Sequence, residues 1–145
     1  MTVLNVTSGD EIFSHRMPVG SRGSAILDAA FDPDGTSLVG GTKGGAIKLM
    51  DAATGEEQLS IQVSDSPIRS VSFNEDGTRI VSGSQDGTVK LWDAASGREL
   101  LTLSGGTSPV ERVTASLDGK RIASVSASTA RVWDCLLYTS DAADE

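Results

Sequence analysis

Cysteine and histidine are nearly missing from this 145-residue chain, which has one of each, Cys135 and His15. One cysteine forms neither an internal disulfide nor a thiolate metal cluster. One histidine, without a nucleophile and an orienting carboxylate in a shared motif, does not make a catalytic constellation. No metal, cofactor or enzymatic activity is therefore expected. Basic residues are also few: 12 Lys and Arg stand against 20 Asp and Glu, a formal net charge of −8. An acidic chain repels a phosphate backbone, and no Lys/Arg stripe offsets the repulsion, so a nucleic-acid partner is not expected. No apolar run approaches the roughly 20 residues of a membrane helix, so no membrane partner is expected either. The first residues, MTVLNVTSGDEIF, lack a basic segment followed by an apolar one, which removes the argument for export. The expected location is intracellular, in the cytoplasm, and the glycosylation-like triplet Asn5-Val6-Thr7 then carries no weight.

Glycine is plentiful, at 16 residues, and many of these sit where turns are expected, which favours numerous short strands over long helices. The stretch Arg79–Asp93, RIVSGSQDGTVKLWD, shows the pattern most clearly. Ile80, Val81, Val89, Leu91 and Trp92 suit a pleated, partly buried surface. Asp86-Gly87 between them predicts a two-residue hairpin turn. A lone hairpin is marginal in water, but this one recurs. Ile26–Thr54, Ile68–Ser96 and the segment from Val110 align, and the glycines of their Asp-Gly turns fall at Gly35, Gly77 and Gly119, 42 residues apart each time. Met50, Trp92 and Trp133 share one position, at intervals of 42 and 41. The missing residue of the third unit falls near Ala127-Ser128. A period near 42 with Trp-Asp closing each unit is the mark of four-stranded blades. For the middle unit the strands are expected at Ile68–Phe73, Ile80–Ser84, Thr88–Trp92 and Glu99–Leu103.

On these residues the chain resembles the WD40-repeat β-propeller family, from about residue 3 to Asp134. The dipeptide stands as Trp92-Asp93 and Trp133-Asp134, weakened to Met50-Asp51, with F-x-x-D-G-T turns starting at Phe31 and Phe73. Leu4-Asn5 takes the same place in a preceding unit. The resemblance implies an all-β fold, a partial β-propeller of four-stranded antiparallel blades forming an open arc. Residues 1–16 are then the end of a preceding blade, and 17–134 hold about three repeats, near 24–64, 65–106 and an incomplete 107–134. About three blades do not close a ring, and closure is what protects propeller edges. Residues 135–145, CLLYTSDAADE, break the pattern and resemble a read-through of a transposase sequencing adapter, so they are expected to be a non-native tail. Leaving out Asp141, Asp144 and Glu145 takes the net charge from −8 to −5.

The resemblance also assigns roles. Asp51, Asp86, Trp92, Asp93, Trp133 and Asp134 occupy the family's structural and turn positions. In the family an Asp at the place of Asp86 joins a His, a strand serine and the Trp. Here Ser82 or Ser84 supplies the serine, while Ser64 and Gly106 replace the His. His15 falls in the last strand of the partial first blade, an ordinary strand residue. The run Gly40–Gly45 lacks phosphate-loop spacing and no helix follows, so a hairpin turn is expected there. The family binds partners on one rim, which by register includes Leu27, Lys43, Asp65, Ser66, Arg69, Gln85 and Glu111. Arg69 is the natural anchor for a carboxylate. Other proteins or peptides, and further blades of a longer chain, are the expected partners. A non-catalytic interaction scaffold is the expected function. The alternative is the regulatory or sensing propeller of a larger protein with a kinase or NTPase domain outside this segment.

Overall fold

A computed structural model describes residues 2–4, 8, 11–14, 25–104 and 106–134. Every regular element among them is a strand. β1 (Thr2–Leu4) and β2 (Glu11–Ser14) form an antiparallel pair. β3 (Ile26–Phe31), β4 (Ser37–Thr42), β5 (Ala46–Asp51) and β6 (Glu57–Gln62) form one antiparallel four-stranded sheet. β7 (Ile68–Phe73), β8 (Arg79–Ser84), β9 (Thr88–Asp93) and β10 (Glu99–Ser104) form a second. β11 (Val110–Ala115), β12 (Arg121–Ser126) and β13 (Thr129–Asp134) form a third sheet, of three strands. Strands follow one another across each sheet in chain order, so each unit is a meander and no sheet closes on itself. This is the all-β architecture of a partial propeller. The strands of the middle blade lie within a residue of their expected ends. His15 and the tail at 135–145 lie outside the described residues.

The blades stack through apolar side chains that no single sheet could hide. Val39, Ile47 and Leu49 of the first blade pack with Ile68, Val71, Ile80 and Trp92 of the second. Val81, Val89 and Leu91 of the second pack with Val110, Val113 and Ile122 of the third. Strand seven is therefore buried on both faces, which is why its alternation of Ile68, Ser70 and Ser72 with Arg69, Val71 and Phe73 does not divide core from solvent.

Two further devices fix the stacking. Asp28 Oδ2 accepts from the backbone N–H of Val71 at 3.0 Å, and Ser70 Oγ accepts from that of Val113 at 3.1 Å. Each bond joins an inner strand to the next blade's inner strand. Opposite Asp28 and Ser70 in the sheet stand Gly41 and Gly83. A Cβ on Gly41 would lie 2.7 Å from Ile68 Cγ2, and one on Gly83 would lie 2.6 Å from Val110 Cγ1. Only a bare backbone lets the next blade approach so closely.

The turns differ from expectation in one detail. β8 ends at Ser84 and β9 begins at Thr88, so three residues connect them rather than two. Gly87 N–H donates to Ser84 C=O at 3.1 Å, and Gly87 alone takes a positive φ, 92°. This is the three-residue hairpin in which a glycine bulge follows an ordinary turn. Asp86 has no need of positive φ. Gly40–Gly45 likewise belongs to β4 and the turn before β5.

Candidate functional site

The three inner strands share an irregularity. Ile26 pairs with Thr42 and Asp28 with Gly41, leaving Leu27 as an extra residue. Ile68 pairs with Ser84 and Ser70 with Gly83, leaving Arg69 extra. Val110 pairs with Ser126 and Arg112 with Val125, leaving Glu111 extra. A β-bulge bends the strand and re-aims a side chain. Here it turns out three side chains that simple alternation would have placed by face alone, and all three are exposed. The bulges were not legible in the sequence, because inserting a residue into a pairing leaves no compositional mark.

The adjoining turns end at the same level. Lys43 N–H donates to Ala25 C=O at 2.8 Å and Gln85 N–H to Pro67 C=O at 2.9 Å, tying each hairpin turn to the start of its own inner strand. The loop carrying Asp65 and Ser66 passes over Gly45, whose Cβ would meet Ser64 C=O at 2.0 Å. Ser64 Oγ accepts from Ser66 N–H at 3.1 Å, so the Ser64 that stands in the family's histidine place braces this loop. Lys43, Asp65 and Gln85 are exposed and Ser66 half-buried. Arg69 Nε donates to Gln85 Oε1 at 3.2 Å. That contact holds the guanidinium on its own blade without neutralising it, since glutamine carries no charge. The arrangement offers an apolar, a cationic and an anionic side chain on successive blades.

The structural positions behave differently from one another. Trp92 is buried and its Nε1 donates to Ser82 Oγ at 2.9 Å. Trp133 is half-buried and its Nε1 donates to Ser124 Oγ at 3.2 Å. Asp86 Oδ1 accepts from the Thr88 N–H at 3.0 Å and from the Thr88 hydroxyl at 2.6 Å, while Ser84 Oγ accepts from Asp86 N–H at 3.4 Å. The two serines thus divide the work: Ser82 serves the tryptophan and Ser84 the turn. Burial raises the Asp86 pKa, but the bonds from Thr88 and Ser84 and the nearby Lys90 outweigh it, and the net shift is downward. Asp51 Oδ1 accepts from Ala53 and Thr54 N–H at 2.8 and 3.0 Å, and Asp93 Oδ2 accepts from Ser96 Oγ at 2.6 Å. The backbone bonds from Thr54 and Ala53 lower the Asp51 pKa, and the Ser96 hydroxyl leads the lowering at Asp93. Asp134 is exposed at the end of β13. Asp28 and Ser70, which bridge blades, were not singled out from the sequence, although the 42-residue register places them together.

Meandering four-stranded sheets stacked face to face, each closed by an aspartate-capped turn after its third strand, define a repeat propeller. Comparison with known proteins agrees. The family described as "WD domain, G-beta repeat" matches residues 55–93 and 97–134, more than half of the chain. The chain belongs to the WD40 family. Each matched unit starts just before the outer strand of one blade and ends with the aspartate that closes the next blade's third strand, so a repeat straddles two blades. The chain is also 37% identical over 44 residues to the WD40 repeat protein poxJ of Penicillium oxalicum, and equally to the protein of that name from strain 114-2 / CGMCC 5302. Each match covers 30% of this chain and 13% of the relative's length. WD40 repeats generally serve as scaffolds that bind other proteins.

Proposed function

We propose that this segment acts as a protein-interaction scaffold and binds a peptide or protein strand across Leu27, Arg69 and Glu111, with Lys43, Asp65, Ser66 and Gln85 at the margin. The observation that carries this reading is the bulge repeated at one position of three consecutive blades, since each bulge presents its side chain outward on a rigid strand. Arg69 grips a carboxylate of the partner: its guanidinium is exposed, charged and already oriented by Gln85. Leu27, 45% exposed, receives an apolar side chain. Glu111 takes a basic one.

The segment works by binding rather than by chemistry. Serines and a threonine among its buried polar groups bond to backbone, tryptophan or turn, and none is paired with a base. A net charge of −8 favours a protein partner over a nucleic acid. Selection of peptides from a random displayed library against the 145-residue protein tests the proposal. The selected peptides are expected to carry an acidic residue, and Arg69→Glu is expected to abolish their binding while Lys120→Glu leaves it unchanged. Peptides that bind Arg69→Glu as well as the parent protein would remove this surface from consideration.

A further inference from the structure

The second and third blades align residue for residue from Ile68 and from Val110, except at one turn. In the second blade the Asp86 carboxylate lies among Thr88, Ser84 and Lys90. Thr88 donates to it through its N–H at 3.0 Å and its hydroxyl at 2.6 Å. Burial works against the charge of Asp86, and Thr88, Ser84 and the Lys90 ammonium together outweigh burial. The third blade keeps all three of these positions. Ser82 faces Lys90 and Ser124 faces Arg131, so Arg131 holds the lysine place. Counting along the same strands, Thr129 holds the place of Thr88 and Ser126 that of Ser84. The carboxylate itself is gone. Three residues, Gln85-Asp86-Gly87, join β8 to β9, and only Ala127-Ser128 join β12 to β13. A second side chain is lost beside it, because Gly106 stands where the preceding loop has Ser64.

The place so vacated is a cavity of about 60 Å³ between the two blades. Gly87 and Val89 contribute to it from the second blade, and Gly106 and Ser108 from the loop that follows. That loop is held close, since a Cβ on Gly87 would lie 2.3 Å from the Gly106 carbonyl oxygen. From the third blade come the hydroxyls of Ser124, Ser126, Ser128 and Thr129, the Arg131 guanidinium and the Trp133 ring. Arg131 Nη2 is 3.7 Å from where a Cβ on Gly106 would be, so the guanidinium borders the bare glycine. Ser124 is 3% exposed and accepts from Trp133 Nε1, and among the described residues nothing accepts its own O–H. Among the described residues lining the cavity none is a carboxylate. Donors therefore surround a place where the neighbouring blade holds a negative charge.

We propose that this cavity binds a small monocarboxylate anion, of the size of formate or acetate. Its charge takes the place that the Asp86 side chain takes in the second blade, against Arg131 and the hydroxyls of Ser126 and Thr129. Arginine suits this ligand, since its planar fork takes both carboxylate oxygens at once. Volume sets the size. One water needs about 10–15 Å³ of such space, so the cavity has room for about four waters, or a solute of about four heavy atoms. The anion touches the second blade, the loop and the third blade together. Its binding is a property of the folded arrangement, and it stabilises that arrangement by mass action.

Sodium acetate is titrated into the 145-residue protein at neutral pH, against sodium chloride at matched ionic strength, and the tryptophan indole N–H signals are followed by NMR. The Trp133 signal is expected to shift saturably, with a Kd on the order of 1 mM, within the ceiling for so few heavy atoms. At ten times that Kd, acetate is expected to raise the folded-to-unfolded ratio in urea about eleven-fold. Arg131→Gln is expected to weaken binding about ten-fold or more, as loss of a hydrogen bond to a charged group. Lys120→Glu is expected to leave it unchanged. Replacing Ala127-Ser128 by the Gln-Asp-Gly of the second blade supplies the carboxylate from the chain itself. That variant is expected to lose acetate binding and to have a higher urea midpoint without acetate. Absence of a saturable shift, an equal response to chloride, full affinity in Arg131→Gln, or undiminished binding in the turn variant each overturns the proposal. Should the turn variant fail to fold, the chloride and Arg131→Gln measurements decide.

Discussion

Gly83→Ala adds one methyl group at the tightest point between the second and third blades. The new Cβ would stand 2.6 Å from Val110 Cγ1, 2.8 Å from Val113 Cγ1 and 3.2 Å from Val110 Cβ. Carbon atoms rest comfortably at about 3.5–4.0 Å, so nearly an ångström must be found at two points together. Neither valine can give it cheaply. Both are buried in β11, and the Val113 N–H is held by Ser70 Oγ at 3.1 Å, so strand movement stretches that bond as well. Overpacking of a filled core costs about 1–3 kcal/mol. Alanine also stiffens the unfolded chain, an opposing gain of about 0.4–1 kcal/mol where the native backbone suits it. Gly83 has no positive φ, so that gain applies. A net loss of about 1–2 kcal/mol is expected, read as a lower urea midpoint in tryptophan fluorescence. The decisive measurement is the pair Gly83→Ala and Val110→Ala. Val110→Ala alone opens a cavity, and in the double variant the two changes compensate, so the combined loss is smaller than the sum of the single ones. Strict additivity, or an unchanged midpoint for Gly83→Ala, would show that the glycine is not what admits the third blade.

Ser82→Ala removes the acceptor of the buried Trp92 Nε1–H and is expected to cost about 1–3 kcal/mol, because the donor is left dry and unpaired. Ser124→Ala, at the longer and half-buried Trp133 bond, is expected to cost less in the same urea titration; equal losses would break the link to burial. Asp86→Ala is expected to cost about 1 kcal/mol through the Thr88 bonds at neutral pH. Asp76, Asp86, Asp93, Glu99 and Asp118 all have lowered pKa values in the folded chain, through hydroxyl bonds at Asp76, Asp93 and Asp118, an ammonium at Glu99, and, at Asp86, bonds that overcome burial. A carboxylate more acidic when folded adds stability above its unfolded pKa and loses it as the pH falls through the folded one. The urea midpoint is therefore expected to be level near neutrality and to drop from about pH 4 downward. The gap between Asp86→Ala and the parent protein should close over the same window, and a gap that stays constant would place the Asp86 contribution elsewhere.

Architecture was legible in the sequence because it is written as a period. The 42-residue spacing located all four strands of the middle blade to within a residue at each end, since a repeated hairpin must bury its apolar residues at repeated places. What the sequence hid was local. The three-residue turn at Gln85-Asp86-Gly87 depends on whether Asp86 shares the positive φ of Gly87, and the Asp-Gly dipeptide fits both alternatives. The bulges at Leu27, Arg69 and Glu111 depend on pairing across strands. The division of labour between Ser82 and Ser84 depends on which hydroxyl points toward which neighbour. Register put Leu27, Arg69 and Glu111 at one level of successive blades, whereas the bulges that turn them outward and the Arg69–Gln85 contact needed coordinates.

The third blade shows how much of the stacking is carried by so few positions. Asp28 with Gly41, and Ser70 with Gly83, form matching pairs: an acceptor for the next blade's N–H, and a gap for its side chains. The corresponding pair in the third blade is Arg112 with Val125. Arginine has no acceptor atom, so an N–H approaching as those of Val71 and Val113 do finds no partner there. Valine fills the gap that glycine leaves, and Val125 is 41% exposed. The glycine turn that lets a following loop cross at Gly45 and Gly87 is shortened to Ala127-Ser128 in the same blade. All three departures fall on the face of the third blade that is turned away from the second. The two internal interfaces are therefore copies of a single solution, and the outward face of the third blade is not a further copy: it offers donors and side chains where the others offer acceptors and space.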